Sequence, residues 1–428
     1  MNNVFKAWRS WQIAILLALF MLINSVDKVV LGLVAIPMMD ELGLTPKEFG
    51  SIGSSFFWPF VLSGLVGGFF ANRYKTKLMI LGMVLIWSVC QLPIVQYASI
   101  EAIITCRILL GIGQGPAWPV AIHALYKWFP DDKRNMPIAV LALGSGLGLV
   151  IAGILIPLIT AAWGWRANFV VLAVIGCVWA LIWLVVGEEG KSEQEPRSSA
   201  PAPVAVIPYL RLLLDRTVLG CIAANFVGYW SLAIGLTWLP AYFERGLGFN
   251  GIASGRLYSF VIALTVPFGF GLAWWSQFLL RTGVSSKTAR GRFLCCSLIL
   301  AGFLFALIYI SPPGDWIRVA LVAIGLGCTP IVYSLSPAIL AEVVPLPQRG
   351  AMLAINNSIA SLAGIAAPFV TAALIQDLSG ARGYEAGFAL CGGLMILGGI
   401  FGACTIDPTR SMLSIRGRIP GPRAALVG

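Results

Sequence analysis

Charged side chains are scarce in this sequence, and histidine is nearly absent from it. Only 11% of the 428 residues are Asp, Glu, Lys or Arg, whereas 58% are hydrophobic and a single residue is histidine. Soluble domains have roughly 25% charged residues and about 45–50% apolar ones. The apolar runs of this chain exceed what one core buries, so the composition excludes a soluble globular protein and indicates an integral membrane protein.

The shortage of ionisable side chains also argues against an enzyme. Catalysis within a bilayer requires an arrangement such as a His–Asp pair, two adjoining aspartates or a metal cluster. The histidine, His123, has no intramembrane acid within sequence reach, and the nine cysteines fall in apolar runs without metal-ligand spacing. We therefore expect no enzymatic activity, no metal and no organic cofactor.

The apolar runs are long enough to cross a bilayer as helices. A hydrocarbon core of about 30 Å needs roughly 20 apolar residues, and a helix satisfies its own backbone hydrogen bonds there. We count about twelve such runs, which predicts an all-α integral membrane protein. They are centred near Leu22, Pro59, Ile86, Ile112, Leu149, Ile175, Ser231, Pro267, Ala301, Gly327, Gly364 and Leu394.

The basic residues indicate the orientation of the chain. The net charge is +11, and Lys and Arg are concentrated in alternate loops, such as those around Arg73 and Arg290, and in the C-terminal tail. The positive-inside rule then places both termini in the cytoplasm. Because the bases are scattered over short loops, we expect no nucleic-acid partner; the lipid bilayer is the expected surrounding.

A polar interruption divides the predicted helices into two sets of six. The segment EEGKSEQEPRSSAPAPVAVIP, residues 188–208, is too polar for lipid and too rich in proline to fold alone. We predict an N-terminal six-helix bundle over residues 1–187, a cytoplasmic linker over 188–210 and a C-terminal bundle over 211–428. Two such halves are typical of transporters that bind substrate near the bilayer midplane, between the halves.

Four polar residues interrupt two of the predicted spans. Asp27 and Lys28 lie in the apolar run Trp11 to Pro37, and Arg107 and Gln114 lie in the run Ile100 to Ala124. A charged group in hydrocarbon costs roughly 2.5–3.5 kcal/mol on insertion scales, so such residues face a protein interior or a watery cavity. At about 1.5 Å per residue, Asp27 lies about 15 Å from the outer end of its helix, expected at Pro37, and Arg107 lies about 10 Å from the outer end expected at Ile100, so the two residues have similar depths.

The balance of these charges favours an anionic ligand. One carboxylate against two fixed cations leaves an excess of about one positive charge when Asp27 is ionised. Protonation of Asp27 increases this excess, so proton binding promotes anion binding in the same conformer. We therefore predict that Lys28, Arg107 and Gln114 bind substrate and that Asp27 couples transport to protons, the proton being the coupling ion.

Structural interpretations of the same residues stay open at this point. In the first interpretation, Asp27 and Arg107 form a permanent structural ion pair. In the second, the Lys28 side chain extends towards the membrane–water interface. In the third, Gln114 forms a hydrogen bond with a neighbouring helix.

Several motifs resemble those of the major facilitator superfamily. The segment GGFFANRYKTK, after the second predicted helix, is similar to the superfamily loop G-x-x-x-D-R-x-G-R-K. Gly68, Arg73 and Lys77 match this pattern, and Asn72 stands in place of the acid. The resemblance implies a loop that controls conformation. The fourth helix reads CRILLGIGQGPAWP, which is similar to the superfamily pattern R-x-x-x-G-x-G.

Finer features resemble the anion:cation symporter family, which includes sugar-acid and aromatic-acid permeases. They are SVDKVVLGLVAIP, WFPDDKR and NNSIASLAGIAAPFV, in the first helix, after the fourth and in the eleventh. Members typically have an acid and a base together in the first helix and an Arg followed seven residues later by Glu in the fourth. Asp27, Lys28 and Arg107 fill three of these places, and Gln114 fills the fourth with an amide.

Taken with this resemblance, the sequence predicts a monomeric secondary transporter of a small organic anion, such as a sugar acid or an aromatic acid, in a bacterial inner membrane. We expect proton symport by alternating access. The alternatives are a facilitated or sodium-coupled anion transporter and a transport-dead membrane sensor. Further candidate substrate-binding residues are Ser145, Tyr229, Trp230, Asn356 and Asn357.

Overall fold

The fold is described from a computed structural model of the chain. The structure describes residues 2–71, 73–97, 99–130, 133–190, 207–310, 314–378 and 380–416. Throughout these ranges the regular structure is helical, and they contain no strand. Twelve stretches of helix within them are long and apolar enough to cross a membrane. The predicted all-α membrane fold with twelve spans is therefore confirmed.

The first six spans are formed by nine helices, and a tenth, short helix lies between the first two spans. The spans are Trp8–Leu33, Pro46–Gly67, Thr76–Gln96, Ile100–Tyr126, Asn135–Trp163 and Trp165–Val186. The helices are α1 Asn2–Leu33, α2 Ala35–Leu42, α3 Pro46–Ser55, α4 Phe57–Ala71, α5 Thr76–Val89, α6 Leu92–Gln96, α7 Ile100–Gln114, α8 Ala117–Tyr126, α9 Asn135–Trp163 and α10 Trp165–Val186.

The other six spans are Arg216–Thr237, Gly251–Arg281, Lys287–Ile310, Asp315–Val343, Arg349–Asp377 and Ala381–Thr405. Their helices, with the short ones beside them, are α11 Tyr209–Leu213, α12 Arg216–Thr237, α13 Leu239–Ala241, α14 Gly251–Arg281, α15 Phe293–Ile310, α16 Asp315–Cys328, α17 Ile331–Val343, α18 Arg349–Ser361, α19 Ala363–Asp377, α20 Ala381–Thr405 and α21 Pro408–Arg416. Turns of π-helix occupy Tyr242–Gly246 and Lys287–Arg292, and a 3₁₀ turn occupies Leu346–Gln348.

The helices form two compact units, which are described separately below. The first unit contains residues 1–194, 232–263 and 364–387, and the second contains residues 195–231, 264–363 and 388–428. The first unit thus includes one end of each of α12, α14 and α20 and most of α19. Residues 191–206 of the predicted linker lie outside the described residues, and the domain division at 188–210 stays a prediction.

Within the first unit, α1 and α9 pack closely along a line of small residues. A Cβ atom at Gly144 would lie 2.2 Å from the carbonyl oxygen of Ala18, and one at Gly148 would lie 2.4 Å from that of Leu22. Small residues four apart allow two membrane helices to approach backbone to backbone, without side chains between them. This packing fixes the position of α1, which bears Asp27 and Lys28.

The fourth span is interrupted beside its candidate site residues. α7 ends at Gln114, and α8 begins at Ala117 after Gly115 and Pro116. Proline has no N–H for the helical hydrogen bond and its ring crowds the preceding turn, so the helix breaks there. A Cβ atom at Gly115 would lie 2.3 Å from the carbonyl oxygen of Phe60, so the glycine lets α7 approach α4. Gln114 therefore lies at a break in the helix.

Candidate functional site

Asp27 lies in the interior of the first unit, with a glutamine as its partner. Its side chain is 1% exposed. The Asp27 Oδ1 atom accepts a hydrogen bond of 3.0 Å from Nε2 of Gln91, which also donates to the carbonyl oxygen of Trp87. The Oδ2 atom of Asp27 and the Oε1 atom of Gln91 have no hydrogen-bond partner among the described residues. One edge of the carboxyl group is therefore held, and the other is available to a proton, water or ligand.

The local backbone explains how Gln91 reaches Asp27. α5 ends at Val89 and α6 begins at Leu92, with Pro93 in the first turn of α6. Because Pro93 has no backbone N–H, the hydrogen-bond ladder of α5 cannot continue through it. Cys90 and Gln91 form the turn between the two helices. Gln91 was not identified as a site residue from the sequence. The only signal for it in the sequence is its position two residues before a proline, inside an apolar run.

Arg107 is buried in the same unit but is not paired with Asp27. It is 5% exposed, its guanidinium carbon lies 4.7 Å from the ring centre of Phe56, and its Nε has no hydrogen-bond partner in the described structure. Among the described residues, no ion pair within 4 Å joins it to Asp27. The structural ion pair that the sequence left open is therefore not formed, and the cation is available to a ligand.

Lys28 lies over the ring of Phe60, which belongs to the same group of aromatic rings as Phe56. Its Nζ atom is 5.1 Å from the ring centre of Phe60. The rings of Phe56, Phe57 and Phe60 adjoin each other, with centroid separations of 5.2, 5.3 and 6.4 Å. Aromatic faces attract cations by about 0.5–2 kcal/mol but leave their donors unpaired. The two predicted cations therefore share one aromatic wall, and the side-chain N–H groups of neither form a hydrogen bond with the described residues.

Two amides in this unit lack hydrogen-bond partners. Gln114 is 1% exposed and Asn24 is 0% exposed, and in each the side-chain nitrogen and oxygen have no partner among the described residues. The alternative in which Gln114 donates to a neighbouring helix is therefore wrong. An unsatisfied buried polar group costs about 1–3 kcal/mol, so such groups indicate water or a ligand nearby. Asn24, three residues before Asp27 and hence on the same face of α1, was missed because an amide is less conspicuous than a charge.

Ser145 is bonded to a helix neighbour. Its Oγ lies 2.7 Å from the Oγ of Ser25 on α1, beside the close contacts of Gly144 and Gly148. This hydrogen bond joins α9 to α1. The substrate-binding role of Ser145 stays a prediction.

The second unit contains the remaining predicted binding residues. Trp230 and Asn356 are buried, and the indole Nε1 of the first and the Oδ1 of the second have no partner among the described residues. The ring of Tyr229 meets that of Tyr333 edge-on at 6.3 Å. Asn357 is exposed, and its carbonyl oxygen accepts from Ser361. Of the adjacent asparagines, Asn356 is thus the one with an unpaired buried atom.

The loop with the superfamily pattern is anchored by an acid from elsewhere. Gly68 belongs to α4, Arg73 is exposed, and Asn72 lies outside the described residues. Glu189 accepts hydrogen bonds from the backbone N–H groups of Thr76 and Lys77, at 3.2 and 2.9 Å, and pairs with Lys127. Burial opposes its ionisation, yet these donors hold the pKa of Glu189 below its usual range. A carboxylate thus caps the positive N-terminal end of α5, and Lys77 also donates to the Leu184 carbonyl.

Two ion pairs join helix ends of the first unit on the side away from Glu189. Asp40 pairs with Arg245, and Glu41 pairs with Arg166. The second pair and a hydrogen bond from Trp165 hold the pKa of Glu41 below its usual range. Nearby, a Cβ atom at Gly32 would lie 2.1 Å from the carbonyl oxygen of Leu236. The ends of the helices in this unit are therefore tightly packed on the side away from Glu189.

Comparisons with known sequences agree with this architecture. The family model described as Major Facilitator Superfamily matches residues 14–327 and 276–424. The hexuronate transporter of Bacillus subtilis (strain 168) is 29% identical, with 90% of this chain and 92% of that protein covered. The sodium-dependent phosphate transport protein 1, chloroplastic, of Arabidopsis thaliana is 27% identical, with 91% and 78% covered. The chain spans about half (52%) of probable anion transporter 4, chloroplastic, of Oryza sativa subsp. japonica, at 28% identity.

Solved structures share the fold. A bacterial homolog of the human lysosomal transporter Spinster superposes with a TM-score of 0.79 at 16% identity, covering 95% of this chain and 98% of that one. A D-xylose-proton symporter superposes with a TM-score of 0.74 at 15% identity, covering 94% and 99%. The family model covers nearly the whole chain, and the twelve spans agree with the fold of these transporters. The chain therefore belongs to the Major Facilitator Superfamily, and it is a membrane transport protein and not an enzyme.

Proposed function

We propose that this protein carries a small organic anion across a bacterial inner membrane by proton-coupled symport. The observation that carries the proposal is the arrangement around Arg107 and Lys28, two cations that lie on one aromatic wall and form no ion pair within 4 Å with a carboxylate of the described residues. A guanidinium binds a carboxylate through two parallel hydrogen bonds, and desolvation strengthens them. An anion with one carboxylate therefore suits this site.

Buried polar atoms without hydrogen-bond partners among the described residues support a ligand with further hydrogen-bonding groups. Gln114 and Asn24 present unpaired amides in the first unit, and Asn356 and Trp230 present unpaired atoms in the second. Transporters built from two repeats bind substrate near the bilayer midplane. We assign substrate binding to Lys28, Arg107, Gln114, Asn356 and Trp230, and we keep Tyr229, Asn357 and Ser145 as further candidates.

Asp27 is the proposed coupling group. It is the carboxylate of the first span, and one of its oxygens has no partner among the described residues. When it takes up a proton, the charge that opposes Arg107 and Lys28 is removed, and the anion binds more tightly. Release of the proton on the other side of the membrane reverses the effect and promotes anion release. Sodium is the second candidate ion, because a relative in Arabidopsis is named as sodium-dependent.

Uptake by the purified protein in liposomes tests the proposal. The substrate panel consists of a hexuronate, an aromatic carboxylate, inorganic phosphate and a neutral sugar as the matched control. Each is offered under an inward pH gradient, under an inward sodium gradient and with a protonophore. We expect accumulation of an organic carboxylate that the protonophore abolishes and that sodium does not alter. Accumulation driven by the sodium gradient alone would show that sodium, and not the proton, is the coupling ion. Absence of uptake under every condition would favour the transport-dead sensor.

A further inference from the structure

The second unit contains a basic cavity at one end of its helices. Its volume is about 830 Å³, and it lies between α11, the start of α12, the end of α20 and the C-terminal helix α21. Four basic side chains and two acidic ones line it: Arg211, Arg216, Lys287, Arg410, Asp215 and Asp407. None of these residues belongs to the proposed transport site.

Both acids of the cavity are engaged in the structure. Asp215 Oδ1 accepts hydrogen bonds from the backbone N–H groups of Thr217 and Val218 and from the hydroxyl of Ser411. Asp407 accepts from Lys287 Nζ at 2.7 Å and from the backbone N–H of Arg410. The hydrogen bond from Lys287 holds the pKa of Asp407 below its usual range, so this acid is ionised at neutral pH.

Three arginines remain as donors. Arg211, Arg216 and Arg410 are exposed and form no ion pair within 4 Å with any residue that the structure describes. Four basic side chains against two acidic ones leave the cavity a formal excess of two positive charges. A planar guanidinium is well suited to phosphate, which it binds bidentately.

The walls of the cavity are fixed by tertiary hydrogen bonds. The Ser411 hydroxyl on α21 also lies 2.8 Å from the Thr217 hydroxyl on α12, which accepts from the backbone N–H of Asp407. A Cβ atom at Gly220 would lie 2.5 Å from the Thr405 hydroxyl. The end of α20 is therefore held against the start of α12, and α21 is tied to both.

An apolar groove lies along the same two helices. It has a volume of about 460 Å³, and its walls are Leu219 to Val227 of α12 and Leu394 to Phe401 of α20. The side chains on α12 follow the spacing of one helical face, and Leu397 and Phe401 are 66% and 45% exposed. At about 1.5 Å per residue, the groove begins about 5 Å from Arg216 and extends to about 16 Å, the depth of one bilayer leaflet.

We infer that the cavity and the groove together form a binding site for an anionic phospholipid. The phosphate headgroup lies among Arg211, Arg216 and Arg410, and one acyl chain lies in the groove between α12 and α20. Charge complementarity specifies the headgroup, and the apolar groove that follows along the same pair of helices specifies the chain. Basic clusters at the membrane surface bind anionic lipids through this electrostatic attraction. Three exposed leucines add apolar surface beside the cavity. Leu210 lies on α11, Leu214 directly follows α11, and Leu413 lies on α21.

Lipid binding to the delipidated full-length protein in detergent tests this inference, by thermal shift and native mass spectrometry. The ligands are phosphatidylglycerol, phosphatidylcholine with the same acyl chains, and glycerol phosphate, which has an anionic phosphate group but no acyl chains. We expect phosphatidylglycerol to bind at least about tenfold more tightly than either of the others. Equal binding of the two phospholipids would overturn the inference.

Substitutions separate the headgroup site from the groove. The triple variant Arg211→Gln, Arg216→Gln, Arg410→Gln should weaken phosphatidylglycerol binding on the order of a hundredfold, at about fivefold for each charge. Replacing the same three arginines by lysine should restore most of the affinity, which distinguishes lost charge from misfolding. The matched control is Arg281→Gln, Arg292→Gln, Lys133→Gln, three exposed bases outside the cavity. Unchanged binding by the first glutamine variant would overturn the inference.

The groove has its own test. Ala223→Phe fills it, and Ala263→Phe adds the same bulk to an exposed position of α14 outside it. We expect the first variant to weaken phosphatidylglycerol at least about fivefold and to leave glycerol phosphate binding unchanged, since only the acyl chain is displaced. If glycerol phosphate binds as tightly as the lipid and Ala223→Phe has no effect, the cavity is a site for soluble phosphates and the lipid assignment is wrong.

Discussion

The carboxylate of Asp27 accepts a 3.0 Å hydrogen bond from the side-chain amide of Gln91 and forms no ion pair with Arg107. This relationship separates the acid of the first span from the cation of the fourth. A permanent Asp27–Arg107 pair would neutralise both groups and leave neither available to a ligand. Here a neutral amide positions the acid, so that the acid and the cation can act on different ligands, a proton and an anion.

The first prediction concerns the coupling between Asp27 and Gln91. We expect Gln91→Leu to destabilise the protein by about 1–3 kcal/mol, because it leaves a buried carboxyl group without its donor. In a double-mutant cycle with Asp27→Asn, the effect of Gln91→Leu should become smaller by at least about 0.5 kcal/mol, since residues in contact are not additive. Thermal unfolding of the four proteins measures this. Additive effects would show that the contact contributes nothing.

The second prediction concerns Arg107. Arg107→Ala should weaken binding of the transported anion by about 30-fold to about 5,000-fold, because truncating a buried charge partner costs about 2–5 kcal/mol. Arg107→Lys should retain part of the affinity, since an ammonium keeps the charge but lacks the two parallel donors of a guanidinium. A scintillation proximity assay with the identified anion measures both affinities.

Arg281→Ala, an exposed arginine at the end of α14, is the matched control for the loss of one positive charge. It should bind the anion as the parent protein does. If the affinity of Arg107→Ala is also undiminished, Arg107 does not belong to the substrate site.

The third prediction concerns the coupling role of Asp27. An asparagine imitates the protonated carboxyl group but cannot release a proton. We therefore expect Asp27→Asn to retain exchange of external for internal substrate, within about threefold of the parent rate, and to lose uphill accumulation under a pH gradient. Counterflow and gradient-driven uptake into the same liposomes measure the two activities. A variant that still concentrates substrate would show that protons are coupled through another group.

The fourth prediction concerns Gln114, which cannot titrate. With Asp27 as the single coupling carboxyl, one proton accompanies each anion, and transport of a monovalent anion moves no net charge. Movement of one charge is worth about 2.3 kcal/mol per 100 mV, whereas an electroneutral cycle gains nothing from the potential. We expect uptake that responds to the pH gradient and hardly to voltage. Gln114→Glu should gain voltage dependence if the new carboxyl cycles.

Uptake into liposomes clamped with potassium and valinomycin, at a fixed pH difference, measures this response. Gln114→Met, which removes the amide without adding a carboxyl, is the control for the change of side chain. A strong acceleration of the unmodified protein by an inside-negative potential, for a substrate shown to be monovalent, would contradict a single-carboxyl mechanism.

The spans follow from the sequence because the length of an apolar run determines whether a helix crosses the bilayer. All twelve predicted centres, from Leu22 to Leu394, lie within the spans of the structure. The outer end of the first helix was placed wrongly at Pro37, because α1 ends at Leu33 and Pro37 lies in the first turn of α2, where proline is tolerated. Asp27 is then about 9 Å from the end of its helix, close to the depth estimated for Arg107.

The partners of the site residues do not follow from the sequence, because they depend on how helices far apart in the chain pack. Asp27 and Gln91 are 64 residues apart, and the turn that presents Gln91 depends on one proline. The aromatic wall under Lys28 and Arg107 consists of apolar residues of α4 and the turn before it, which composition cannot distinguish from core. In the superfamily pattern, Asn72 replaces the acid, and the acid that binds at the start of α5 is Glu189, more than 100 residues later.

The fifth prediction concerns Glu189 and its dependence on pH. Its pKa is lowered in the folded protein despite burial, through hydrogen bonds from Lys127, Lys77 and Thr76. A lowered folded pKa stabilises the protein above the ordinary glutamate pKa of about 4.3, and this contribution is lost as the pH falls through the folded pKa. We expect Glu189→Gln to lower the thermal midpoint at pH 7 and to differ less from the parent as the pH is lowered below about 4.

Glu188→Gln is the matched control, because the neighbouring Glu188 is 55% exposed and pairs with Arg9 at the surface. Exposed pairs contribute about 0–1 kcal/mol, so this variant should melt close to the parent at every pH. Thermal melts of the three proteins between about pH 2 and pH 8, a range that extends below the ordinary glutamate pKa, provide the comparison. Equal destabilisation by the two substitutions, or a Glu189→Gln effect that is constant with pH, would mean that the ionised carboxylate of Glu189 does not stabilise the start of α5. A difference confined to Glu189→Gln and to neutral pH would assign the anchoring of this loop to the acid that follows the sixth span.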